Sequence, residues 1–158
     1  MHTHRRVLWV LAATLLAACA SSPERETAEP TPYRPYEEPS PGADRVVLHT
    51  GNQAVLDLWR QAEAARAAGD YDAAIAAIER ALRIEPDNAA MWSRLAELHL
   101  RKQNANQAES LAAKSNALAA ENRLLLYRNW LIIARARRLK GDDIGAQEAE
   151  YTAQTLKP

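Results

Sequence analysis

GDYDAAIAAIERALRIEPDN, running from Gly69 to Asn88, reads as a turn, an amphipathic helix and a second turn. Gly69-Asp70 punctuates the chain, and apolar residues follow at Ala74, Ile75, Ile78, Ala81 and Leu82, which is helical spacing. Pro86 stops the helix, and Asp87 or Asn88 offers a side-chain oxygen to cap the next one. Ala74 and Ala81 are small where a neighbouring helix must come close. Ile78 and Leu82 are large where the remaining gap needs filling.

Outward from this stretch the pattern recurs, with Ala74 returning as Ala108. The first unit runs from about Val55 to Asn88, with Leu58 and Ala62 in its first helix and Tyr71, Ala74, Ile78, Ala81 and Pro86 following. The second begins near Ala89 and carries Trp92, Leu95, Ala96 and Ala108, with a turn at Asn104 to Asn106. These residues, and the interval from Ala74 to Ala108, resemble the tetratricopeptide repeat (TPR), a helix–turn–helix unit of about 34 residues. The second unit departs from that pattern with Ser115 where a small Ala is usual and Ala120 where Pro is usual. A third, more degenerate pair matches at Trp130, Ile133, Ala134, Gly141-Asp142, Ala146 and Ala153. The interval from Trp92 to Trp130, however, is longer than the repeat by four residues. Four extra residues are close to one helical turn. Placed near Asn122 to Leu126, they lengthen a helix without rotating its buried face. A last helix, about Asp142 to Leu156, caps the stack. The expected fold is therefore all-α, a short TPR-like solenoid of about three antiparallel helix pairs over residues 53–158.

Composition agrees with helices. The 158 residues include no Phe and only five Gly, and 20 basic residues balance 20 acidic ones. That balance gives no case for nucleic acid or for an anionic membrane surface. Four His and one Cys lack metal-ligand spacing, which argues against zinc.

The N-terminus reads as an address. Arg5 and Arg6 precede an apolar run from Val7 to Ala18. A spanning helix needs roughly 20 apolar residues, more than this run provides, so residues 1–18 are a secretory signal. Leu16-Ala17-Ala18-Cys19 resembles the bacterial lipobox, which implies cleavage before Cys19 and acylation of its sulfur and new amino group. Each buried CH₂ contributes about 0.8 kcal/mol, and two chains already anchor stably. Ala20 follows Cys19 in place of the retention-signal Asp, which implies the periplasmic leaflet of the outer membrane. The covalent lipid on Cys19 is the only non-protein group expected. Residues 19–52 form a disordered tether with Pro23, Pro30, Pro32, Pro35, Pro39 and Pro41 and six acidic residues against three basic. As a polyproline-like chain it reaches roughly 100 Å. Tyr33 and Tyr36 belong to this spacer, and Val46-Val47-Leu48 is its first apolar cluster, suited to pack on the first helix.

No nucleophile elbow, phosphate loop, His-Glu-x-x-His or Cys-His pair is present in the sequence. Glu79, Glu85, Glu97, Glu109, Glu148 and Glu150 lie beside Arg or Gln in helical patterns and read as solvated faces. His99, Trp92 and Trp130 read as packing residues. The TPR resemblance implies a concave surface lined by the first helix of each pair. Counting along those helices places Trp59, Glu63 and Arg66 there from the first unit, Ser93, Glu97 and Arg101 from the second, and Arg128, Leu131, Arg135 and Arg138 from the third. Arg60 and Arg94 lie beside them. A row of guanidinium groups next to apolar residues suits an acidic or C-terminal peptide. The family's carboxylate clamp uses Lys and Asn where this chain has Trp59 and Glu63, so that particular use is not expected.

Lipobox, acidic tether and short repeat domain together resemble the LpoP-type lipoproteins, TPR-containing outer-membrane activators of class A penicillin-binding proteins. The resemblance implies a non-catalytic binding module docking on a bifunctional peptidoglycan synthase, with no nucleic acid and no small-molecule substrate. The alternative within the class is a TPR assembly factor for outer-membrane proteins, pili or secretion machinery. A cell-wall hydrolase would need a nucleophile or metal site that the sequence does not contain.

Overall fold

The computed structural model describes residues 46–157. The signal segment, Cys19, Tyr33, Tyr36 and most of the tether lie outside the described residues. Six helices follow in order: α1 Gln53–Ala67, α2 Tyr71–Ile84, α3 Ala89–Arg101, α4 Ala105–Leu118, α5 Arg123–Leu139 and α6 Asp143–Leu156. They pair as α1 with α2, α3 with α4 and α5 with α6, and successive pairs meet through α2–α3, α4–α5 and α3–α5.

Side-chain caps fix where four of the six helices start. Asn52 accepts from the amides of Ala54 and Val55, Asp70 from Ala73, Asn122 from Leu125 and Asp142 from Gly145. These caps satisfy amide groups that the first helical turn leaves without a partner. Asn88, an expected cap, does something else. Its amide nitrogen donates to the His49 carbonyl at 3.2 Å and to Glu85 at 3.0 Å, and Thr50 donates to the same Glu85 side chain. The leader before α1 is thereby fastened to the α2–α3 turn, with Leu48 packed against the core.

The turn inside each pair carries a left-handed residue: Gly69 at φ 78°, Gln103 at φ 60° and Gly141 at φ 77°. Glycine adopts this conformation without steric penalty, whereas Gln103 bears a strain of roughly 1–2 kcal/mol. The three positions repeat at the two intervals of the helix pattern, the second longer than the first by four residues. The difference lies in α5, which has 17 residues against 13 in α3. Both helices end nine residues beyond their Trp, so the additional turn extends the N-terminal end of α5.

Two apolar clusters form the core. Val55, Leu58, Ile78, Leu82, Met91, Leu95 and Leu98 dominate the first, and Leu100, Ile132, Ile133 and a set of alanines the second. Helix α3 serves both, facing the first pair with Met91, Leu95 and Leu98 and the third with Ala96 and Leu100. Ala74, Ala96, Ala108, Ala134, Ala146 and Ala153 are all buried, which lets helix backbones approach closely.

Ser115 is also fully buried, and its departure from Ala has a partner. Its hydroxyl donates to the Ala89 carbonyl at 2.8 Å and accepts from the Asn129 amide at 2.8 Å. This chain of bonds joins α3, α4 and α5. Asn129 takes the place in α5 that Met91 takes in α3, counting from the two Trp residues. Its Oδ1 accepts no hydrogen bond among the described residues. Ser115→Ala should therefore destabilise by about 1–3 kcal/mol, because a second polar end of a buried amide loses its partner. Ser115→Ala combined with Asn129→Met should recover most of that loss. Urea unfolding of the two single variants and the double variant measures the coupling; strict additivity would refute it.

Candidate functional site

Helices α1, α3 and α5 share one face, and on it the expected charged residues converge rather than standing apart. Glu97 is the centre. It is 4% exposed, and its Oε2 accepts from both Arg94 of its own helix and Arg128 of α5. Arg128 also donates from Nε to the Ser93 hydroxyl at 3.1 Å. Arg94 turns its other side to α1, donating from Nη2 to Glu63 Oε2 at 3.3 Å. Its Nε lies 2.8 Å from Glu63 Oε1, an ionic contact without hydrogen-bond geometry. Arg66 donates to Glu63 Oε2 from Nη2 at 3.2 Å. The second oxygen of Glu97 has Arg66 at 4.0 Å and Arg101 at 3.9 Å.

Arg94 and Arg128 are 2% and 5% exposed, so water contributes little to their solvation. Burial pulls the Arg94 pKa below its ordinary value; Glu97 and Glu63 pull it back up, and Arg128 and Arg66 add to the lowering. Its guanidinium also lies over the Trp59 ring, 5.6 Å from the centroid, within range for a cation–π contact. Trp59 in turn packs against the first core cluster.

Other expected residues go elsewhere. The row Arg128, Leu131, Arg135 and Arg138 does not act as one unit: Arg128 engages α3, while Arg138 pairs with Glu150 of α6 at 2.6 Å. The Glu150 hydrogen bond, opposed by some burial, raises the Arg138 pKa. Leu131 and Arg135 are half-buried on α5, and Arg60 is exposed and pairs with Asp57 at 2.8 Å. Four glutamates read as solvated are engaged in the fold, Glu85 by the leader and Glu150 by Arg138 among them. Glu97 is buried at the centre of the cluster, and Glu109 ties α4 to α5 through Arg137 at 2.8 Å and through Lys140. Burial pushes the Glu109 carboxyl up, but the hydrogen bonds from Lys140 and Arg137 outweigh it and hold the pKa below the usual value.

A second concavity lies on the other side of α3, between α2 and α4. Its volume is about 730 Å³, with Leu82, Trp92, Leu95 and Leu111 among its lining residues and His99 and Gln107 beside them. Trp92 spends its polar edge within the fold, donating from Nε1 to the Pro86 carbonyl at 2.7 Å. His99 lines this groove half-buried instead of packing fully between helices, and burial pulls its pKa below the ordinary value.

Three antiparallel helix pairs, recurring left-handed turns and first helices gathered on one face define a tetratricopeptide-repeat solenoid, a class that builds protein-interaction surfaces. The tetratricopeptide repeat profile matches residues 65–125. Among solved structures, the globular C-terminal domain of P. aeruginosa LpoP superposes with a TM-score of 0.63 at 33% identity, over 66% of this chain and 99% of that one. No curated protein matches. The chain belongs to the tetratricopeptide-repeat family of LpoP.

Proposed function

We propose that this protein is a lipid-anchored outer-membrane module that docks on a class A penicillin-binding protein and activates it, with no catalysis of its own. The observation that carries the reading is the 33% identity maintained over 99% of the LpoP globular domain. The lipobox ending at Cys19 supports the anchor, and the Pro-rich stretch behind it supports a spacer long enough to leave the membrane surface. No helix among the described residues is long and apolar enough to cross a membrane, which is compatible with anchoring by lipid. Activation needs only differential binding: a module with higher affinity for the synthase's active conformation shifts its population toward that state.

The test is reconstitution. Tagged full-length protein in detergent micelles is added to a purified class A synthase, and glycan polymerisation and cross-linking are followed. The expected result is a stable complex and a higher synthase rate. A complex-free, unchanged rate, together with recovery of only barrel-assembly or pilus components from envelope extracts, would replace this reading with the assembly-factor one.

A further inference from the structure

Six charged side chains meet on the face shared by α1, α3 and α5: Arg66, Arg94, Arg101 and Arg128 against Glu63 and Glu97. The set carries two more positive than negative charges. Arg94 and Arg128 are almost wholly buried, whereas Arg66, which also donates to Glu63 from Nε and Nη2 at 3.3 and 3.2 Å, and Arg101 lie further out. Arg66 and Arg101 come from different helices, keep 24% and 22% of their side-chain surface exposed, and flank the same Glu97 oxygen at 4.0 and 3.9 Å. That oxygen is buried and accepts no hydrogen bond among the described residues. An inner carboxylate thus holds two outer, part-exposed guanidinium groups close together by charge, on a face whose net charge is positive.

We infer that Arg66 and Arg101 together receive an acidic side chain, Asp or Glu, from a segment of the partner protein. This inference rests on the docking reading above and names its chemistry. Guanidinium groups bind carboxylate in a planar, two-point geometry, and two of them from adjacent helices define one place for it. Capture of a chain terminus uses backbone amides arranged as a nest, or the family's Lys and Asn clamp, whose positions here hold Trp59 and Glu63. Arg66 and Arg101 both lie within helices, whose amides are already engaged in the helical ladder, so a side-chain carboxylate is the better fit. Trp59, already stacked with Arg94 and packed on the core, offers an apolar wall on the same helix as Arg66 for the residue next to the acid. Arg94 and Arg128 do not bind the ligand in this scheme. They fix Glu97, which draws Arg66 and Arg101 together by charge, while Glu63 orients Arg66 by hydrogen bonds.

The full-length protein in micelles is titrated with a fluorescein-labelled, C-terminally amidated peptide of alternating Leu and Glu, and with its Leu-Gln counterpart. The Glu peptide is expected to bind and to weaken as salt rises, and the Gln peptide is expected not to bind. Arg66→Gln/Arg101→Gln should weaken the Glu peptide by about tenfold or more, the scale of a lost charge-assisted interaction. Equal binding of Glu and Gln peptides overturns the inference, as does undiminished binding by the double variant. Binding of the Gln peptide only when its C-terminus is a free acid moves the site to a terminal carboxylate and also overturns it. Circular dichroism checks that the double variant folds; should it not, the two-peptide comparison on the unaltered protein decides. Capture of the synthase by both the unaltered protein and the double variant overturns the inference and leaves the docking reading standing. Capture by neither overturns the docking reading, while the peptide titrations still test the chemistry.

Discussion

Glu97→Ala is expected to destabilise the protein by about 3–5 kcal/mol, the cost of removing one partner from a buried ionic cluster. Arg94 and Arg128 both donate to Glu97 Oε2, and both are almost wholly out of water. Removing the carboxylate brings two guanidinium groups into repulsion at a site whose burial already opposes Arg94's charge. Ser93 and Glu63 remain as partners, but each serves only one of the two cations in the contacts described above. The complementary variant tests the cause. Replacing Arg94, Glu97 and Arg128 together with Met, Leu and Met should cost far less than Glu97→Ala alone, since apolar replacement of a whole buried ionic cluster is often neutral or stabilising. Urea midpoints at constant m-value give both numbers. A Glu97→Ala loss below about 1 kcal/mol would mean that water or relaxation solvates the arginines, contrary to their burial.

Ile78→Ala should cost about 2–5 kcal/mol, the range for emptying a buried aliphatic site. The reason is the composition of α2. Its buried face consists of Ala74, Ala77, Ile78, Ala81 and Leu82, so only two large side chains are buried there, with Tyr71 and Ile75 packed at its edge. Ile78 is fully buried in the first cluster, among residues of α1 and α3. Alanines already hold the backbones close, leaving the helices little room to collapse into the cavity. Ile78→Val, which removes a single methylene, should cost about 0.5–1.5 kcal/mol. Domains of this kind hold about 5–15 kcal/mol in total. The Ala variant therefore loses a large share of it, and thermal melts of the two variants separate volume from shape. Equal losses for Val and Ala would contradict the packing described.

Much of the fold was legible because its signals are local. Gly69-Asp70 and Gly141-Asp142 mark turns through φ and capping chemistry, and the four-residue excess between Trp92 and Trp130 falls in α5 where one added turn preserves the buried face. Gln103 was less legible, since its left-handed conformation follows from register with the glycines and not from its own side chain. Ser115 was visible as an oddity but not as half of a pair, because Asn129 lies on the next helix. The candidate site was legible in membership and not in arrangement. The TPR resemblance put Glu63, Arg94, Glu97, Arg101 and Arg128 on or beside one surface, yet Glu97 looked like one more solvated acid. Its burial arises from the meeting of three helices, and periodicity within one helix carries no information about charge arriving from another. The same limit applies to Asn88, whose amide is occupied by the leader and Glu85 rather than by the helix it begins.

That leader also decides how the repeat domain bears a mechanical load. His49 is gripped by Asn88, Thr50 by Glu85, and Leu48 by the core, all upstream of the first helical residue. Tension drawn along the chain from before residue 46 therefore enters at the α2–α3 turn and loads these contacts in shear before it can peel α1 from its first turn.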